Sequence, residues 1–139
     1  MDGLENDYQE RVLYVGRFQP PHLGHMTIFE ESLKQGKKIC IAIRNTKPSQ
    51  ENPLEAQIVK QLWEKIYDSN EAVMVIIIPN ISSIKYGRNV GYSVEEIKVT
   101  DSVASISATS IRNAIREEVD WWKDLVSPLI HEDLEKYLK

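Results

Sequence analysis

Two histidines and a glycine are the first residues here that could do chemistry. His22 and His25 stand three apart, with Gly24 between them, in the stretch Gly16-Arg17-Phe18-Gln19-Pro20-Pro21-His22-Leu23-Gly24-His25. Three residues apart on a helix, two side chains share a face. Glycine has no Cβ, so a ligand can come close to the backbone. Paired imidazoles beside a bare backbone suit a polyphosphate whose charge rises during reaction. The stretch follows an apolar run, Val12 to Val15, and precedes a helical pattern from Met26 to Lys34. It therefore reads as strand, tight turn and helix start, and Pro20-Pro21 restrict that turn. At such a junction the first backbone N–H groups of the helix are expected to point outward unpaired and, with the helix dipole, to favour an anion. Other readings of the histidines are half a zinc site, for which no other Cys or carboxylate set completes four ligands, and a capping histidine beside a core histidine.

A second set lies far along the chain, at Ile106-Ser107-Ala108-Thr109-Ser110-Ile111-Arg112. Ser107, Thr109 and Ser110 crowd a helix start, and Arg112 follows on the same turn. A helix cap needs only one such oxygen, so the surplus hydroxyls and the guanidinium point to phosphate. Lys47 and Arg44, in or beside the polar loop after the second strand, could also reach a phosphate or stay solvated. The loop Lys85 to Tyr92 gathers Tyr86, Arg88, Asn89 and Tyr92 with two glycines. It could form an acceptor wall, with tyrosines for stacking and Arg88 for a phosphate or carboxylate, or be a surface loop anchored by its aromatics.

The elements that must position these groups follow from hydrophobic patterning. Arg11–Val15 reads as a first strand, central because it is continuously apolar. A helix with Met26, Ile28, Phe29 and Leu33 on one stripe follows, stopped at Gly36. Ile39–Ile43 is a second strand. Asn52 reads as the cap of the next helix, with Pro53 at its first position and Glu55 in its first turn; Ile58, Leu62, Trp63 and Ile66 form its buried face. Ala72–Pro79 is a third strand, apolar enough to be buried on both faces, and Val94–Val99 a short further one. Helices over Thr109–Glu118 and His131–Leu138 complete the chain, with Trp121 and Trp122 between them. His131 reads as exposed, with no role. The alternation predicts an α/β fold: a single, doubly wound, Rossmann-like parallel sheet of about five strands, helices on both faces, and a site at the carboxyl edge.

Composition narrows the function classes. The chain has 139 residues and a net charge of −4, which fits one domain and argues against general nucleic-acid binding. Residues 1–10 read as a mobile acidic lead-in and 11–139 as the folded domain. No apolar run reaches membrane-span length and no signal peptide is visible, so the expected compartment is the cytoplasm. The one cysteine, Cys40, sits in an apolar run and reads as a core residue.

Gly16 to His25 resembles the His-x-Gly-His signature of the nucleotidyltransferase superfamily, and Ile106 to Arg112 resembles its Ile-Ser-x-Thr-x-x-Arg block. The Gly-Arg-Phe-Gln-Pro opening is most similar to archaeal-type nicotinamide-mononucleotide adenylyltransferases. The resemblance implies transfer of a nucleotidyl group, AMP from ATP preferred, to a phosphate-bearing acceptor such as nicotinamide mononucleotide, with release of pyrophosphate and no covalent nucleophile. It implies His22, His25 and Arg112 as the catalytic donors. Gly16, Arg17, Phe18, Gln19, Gly24, Ser107, Thr109, Ser110 and Lys47 would form the nucleotide site; Tyr86, Arg88, Asn89 and Tyr92, whose loop does not align with the family pattern, are expected on the acceptor side from their residue types alone. Mg2+ would be held mainly by substrate phosphates, with no protein metal ligands. Relatives are often oligomers, so a homo-oligomer is expected. A cytidylyltransferase acting on a small phosphorylated alcohol, and a non-catalytic nucleotide-binding module, are the alternatives.

Overall fold

The computed structural model describes residues 8–97, 103 and 106–139. Three parallel strands form one sheet: β1 (Arg11–Gly16), β2 (Lys38–Asn45) and β3 (Val73–Pro79), in the order β1-β2-β3. Gly16 pairs with Ile43, and Ile43 with Ile77, so all three carboxyl ends finish along one edge. Helices α1 (Leu23–Lys34) and α2 (Ala56–Ile66) make the two crossovers; α3 (Ala108–Arg116), two short 3-10 turns (Trp121–Leu125 and Pro128–Ile130) and α4 (His131–Leu138) follow.

The middle strand is β2, not β1. Its Ile39, Cys40, Ile41, Ala42 and Ile43 are all buried, whereas Leu13 in β1 is 57% exposed and the residues of β3 are half-buried up to Ile78. An unbroken apolar run therefore meant full burial only where strands lie on both sides. Three strands form among the described residues, against the five or so expected. Val94–Ile97 takes no strand, and the rest of that predicted strand lies outside the described residues, as does most of 102–105.

The core gathers Ile39, Ile41 and Ile43 with Phe29 of α1, Val59, Leu62 and Trp63 of α2, Ile111 and Ile115 of α3, and Leu134 and Leu138 of α4. Each of α1 to α4 thus contributes buried side chains to the cluster that takes the odd-numbered residues of β2. Trp63 is fully buried, and Phe18, Phe29 and Tyr67 ring it with centroids 5.2–6.0 Å away. Trp122 is buried while Trp121 is 49% exposed. His131 is only half-buried: its Nε2 lies 3.0 Å from both the Lys123 and Val126 carbonyls, and its ring stands edge-on to Trp122. It ties the tail together where exposure was expected.

The start of α2 also differs from the reading of Asn52 as cap. Glu55 is the N-cap and the helix begins at Ala56. Leu54 N–H, which could have served the helix start, is taken by the Gln19 side chain at 2.8 Å, so residues 52–54 stay outside the helix. Gly36 has φ +78° just beyond the C-cap Gln35, the left-handed stop expected of it.

Candidate active site

The turn after β1 is built around Phe18. Its φ is +53°, an uncommon conformation for a bulky residue. The ring folds back into the core, edge-on to His25 at 5.0 Å and to Trp63 at 5.5 Å. A Cβ at Gly16 would stand 2.9 Å from Phe18 Cζ, so only glycine leaves room for that ring. Phe18 thus supports His25 from below.

His22 is the N-cap of α1. Its Nδ1 accepts from the amides of Gly24 (3.0 Å) and His25 (3.4 Å), while His25 Nδ1 accepts from the His22 amide at 3.1 Å. This is a capping box whose two side chains are both imidazoles. The rings stack 3.7 Å apart at 18°. A Cβ on Gly24 would lie 2.8 Å from His22 Cε1, so Gly24 is needed for the ring to close over the helix.

Two consequences follow. The first-turn amides of Gly24 and His25 are occupied by His22, so they are not the open anion cradle that the sequence suggested. And because each Nδ1 accepts, each neutral ring carries its proton on Nε2. Burial lowers the His22 pKa to about 4; burial, helped by the neighbouring His22, lowers that of His25 to about 3. His25 keeps some accessible surface, but its ring lies against Phe18, Trp63 and His22. At neutral pH the pair presents two uncharged, tautomer-fixed N–H donors.

The second block reaches the same turn. Arg112 is buried, and its Nη1 donates to the Gln19 carbonyl at 2.7 Å while Nη2 donates to Thr109 Oγ1 at 3.3 Å. Burial, then Arg116, lowers its pKa, and Glu51 opposes them. A guanidinium has more N–H donors than these two bonds use. Ile106 Cβ comes within 3.5 Å of where a Gly24 Cβ would stand, so α3 opens directly against the histidine turn. Ser107 caps α3 through the Ser110 amide (3.3 Å), Thr109 Oγ1 accepts from Arg112 and so keeps its O–H to donate, and the Ser110 side chain makes no cap.

The remaining predicted residues are spread more widely. Arg17 is half-buried and its Nε is enclosed without a hydrogen-bond partner. Lys47 is exposed on the loop after β2. Arg44 is drawn away from solvent: its Nη2 donates to Asn80 Oδ1 (2.7 Å) and to the Ile81 carbonyl (3.2 Å), bracing the ends of β2 and β3. Tyr86, Arg88, Asn89 and Tyr92 are exposed and line an open hollow of about 840 Å³ formed by residues 86–93 alone. The histidines and Arg112 do not line it. Sequence reasoning missed the double role of His22 and the side-chain clamp of Gln19 on Leu54; the Pro-Pro pair after Gln19 marks a turn but not what the amide grips.

Comparison with known proteins agrees with this geometry. The cytidylyltransferase-like family profile matches residues 13–75, from β1 to β3. Nicotinamide-nucleotide adenylyltransferase of Aeropyrum pernix is 30% identical over 82 residues, which cover 55% of this chain and 48% of that protein. The matched part thus spans about half the length of that relative. The histidine turn lies inside the segment that is similar to the cytidylyltransferase-like family, and the serine–arginine block, outside that segment, is bonded onto it through Arg112.

Proposed function

We propose that this chain is a nucleotidyltransferase that moves AMP from ATP onto a phosphate-bearing acceptor such as nicotinamide mononucleotide, releasing pyrophosphate. One observation carries the reading: His22 and His25 are held as neutral Nε2–H donors on the turn whose Gln19 carbonyl binds the buried Arg112 guanidinium. An acceptor phosphate oxygen attacks the α-phosphorus and the bond to the pyrophosphate oxygen breaks. Charge builds on the transferring and leaving oxygens, and the two imidazoles donate to them more strongly as it does. Arg112, the enclosed Nε–H of Arg17 and the hydroxyls of Ser107 and Thr109 favour the β- and γ-phosphates. No covalent intermediate is required.

A Mg2+ ion fits this donor set as substrate-borne cargo. Nitrogen and hydroxyl donors are poor Mg2+ ligands, and among the described residues no three His, Cys, Asp or Glu side chains gather. The ion would neutralise phosphate charge while bound to phosphate oxygens. Lys47 and the loop with Tyr86, Arg88, Asn89 and Tyr92 are proposed to meet the nucleotide and the acceptor from outside. Among the described residues no helix is long and apolar enough to cross a membrane.

The test is pyrophosphate release with ATP or CTP against a panel of phosphorylated acceptors. Release with ATP and nicotinamide mononucleotide supports the reading. Release only with CTP and a phosphorylated alcohol moves the assignment to a cytidylyltransferase, and binding without release under any pair makes it a nucleotide-binding module. His22→Ala or His25→Ala should lower turnover by on the order of 10²–10³.

A further inference from the structure

Gln19 joins three segments far apart in sequence. Its side-chain amide pairs with the backbone of Leu54 at both ends: Nε2 donates to the Leu54 carbonyl and Oε1 accepts the Leu54 amide, each at 2.8 Å. Its own carbonyl takes the 2.7 Å bond from Arg112. The side chain is buried, as are both amide contacts. Residue 54 ends the loop that carries Lys47 and Glu51, and Glu51 is near enough to Arg112 to favour its charged form. With its amide committed to Leu54, Gln19 has little left to offer a nucleotide.

We propose that Gln19 is a positioning residue: by gripping Leu54 it fixes the plane of its own carbonyl, and that carbonyl aims the Arg112 guanidinium at the phosphates held by His22 and His25. The proposal rests on the phosphate-gripping role given to Arg112 above. A primary amide is the one neutral side-chain group that can both donate to a carbonyl and accept from an N–H in this pairing. Glutamate keeps the acceptor but sets a carboxylate oxygen against the Leu54 carbonyl; alanine removes both arms. Either change frees the turn between Phe18 and Pro20 to rotate, and the Arg112 hydrogen bond to a carbonyl, a charge-assisted one, loses its aim.

The test uses inorganic tripolyphosphate as the probe, measured by calorimetry on the full chain, in a cycle of wild type, Gln19→Ala, Arg112→Ala and the double variant. Gln19→Ala should weaken binding by about tenfold when Arg112 is present and by less than about twofold when it is absent, because the effect passes through Arg112. Equal losses in both backgrounds would make Gln19 a purely structural residue and overturn the proposal. Without ligand, hydrogen exchange should find the Leu54 amide protected in wild type and exposed in Gln19→Ala; unchanged protection overturns the clamp. If Gln19→Ala does not fold, Gln19→Glu serves in the same cycle. If wild type itself ignores tripolyphosphate, the phosphate-gripping role fails, and the exchange measurement alone then decides whether the clamp exists.

Discussion

Acid should destabilise this protein through the two imidazoles that cap α1. An unfolded histidine takes up a proton near pH 6.5, but the folded His22 and His25 do so only near about 4 and about 3. Both folded values are depressed, so the unfolded chain binds more protons throughout the window between them. Stability is then complete above pH 6.5 and is lost as pH falls towards 4, where the folded rings begin to protonate as well. At 1.36 kcal/mol per pH unit and ring, lowering the pH from 6.5 to 5 costs about 2 kcal/mol each and about 4 kcal/mol together. The partial accessibility of His25 lowers the figure to about 2–4 kcal/mol, still a large share of the roughly 5–15 kcal/mol that holds a typical domain. Urea unfolding at pH 7, 6 and 5 measures it directly. A double variant, His22→Asn with His25→Gln, removes both titrations while Asn can still cap the helix, so the difference between the two proteins isolates the rings from the carboxylates. Imidazole nitrogen shifts should report Nε2–H tautomers at neutral pH. The reasoning is refuted if wild type and variant lose stability in parallel, or if the two rings titrate near 6.5.

Gly24→Ala should place a methyl 2.8 Å from His22 Cε1, displace the capping ring, cost about 0.5–2 kcal/mol, and remove most turnover, read by thermal melting and pyrophosphate release. Trp63→Ala should destabilise by about 3–5 kcal/mol, because the ring is fully buried; denaturant unfolding checks it, and the surviving protein should be slow because His25 rests on that ring. Ser107→Ala should cost about 1 kcal/mol through the lost cap on Ser110 N–H, with a smaller effect from Ser107→Gly. ATP with Mg2+ at a hundred times its Kd should stabilise the fold by about 2.7 kcal/mol; no rise in melting temperature would exclude nucleotide binding at those concentrations.

The convergence of the two motif blocks was legible because motif spacing constrains it: Arg112 bonds to the Gln19 carbonyl, in the turn that leads into the stacked His22 and His25. The order of strands in the sheet was not. An apolar run such as Val12–Val15 reads alike at the middle and at the edge, and only pairing told β2 from β1. Asn52-Pro53 carried an ordinary helix-start pattern, which lost to a long-range bond from Gln19 that no local rule contains. The cap was misjudged for a related reason. Histidine is not among the favoured capping residues, so capping and chemistry were weighed as rivals, yet His22 caps with Nδ1 and keeps Nε2 outside the cap. The tyrosine loop was conspicuous by composition, but the hollow it lines is formed by residues 86–93 and includes neither the histidines nor Arg112.

Under the proposed function, one ring would serve both a helix end and a substrate, two properties that proteins usually keep apart. Each imidazole has one nitrogen committed to the capping box, and its other nitrogen cannot be surrendered alone. A lineage of this chain that no longer needed catalysis could not simply let these histidines drift; it would first have to find another closure for the opening turn of α1. Intact histidines in a descendant would therefore say little by themselves about retained activity.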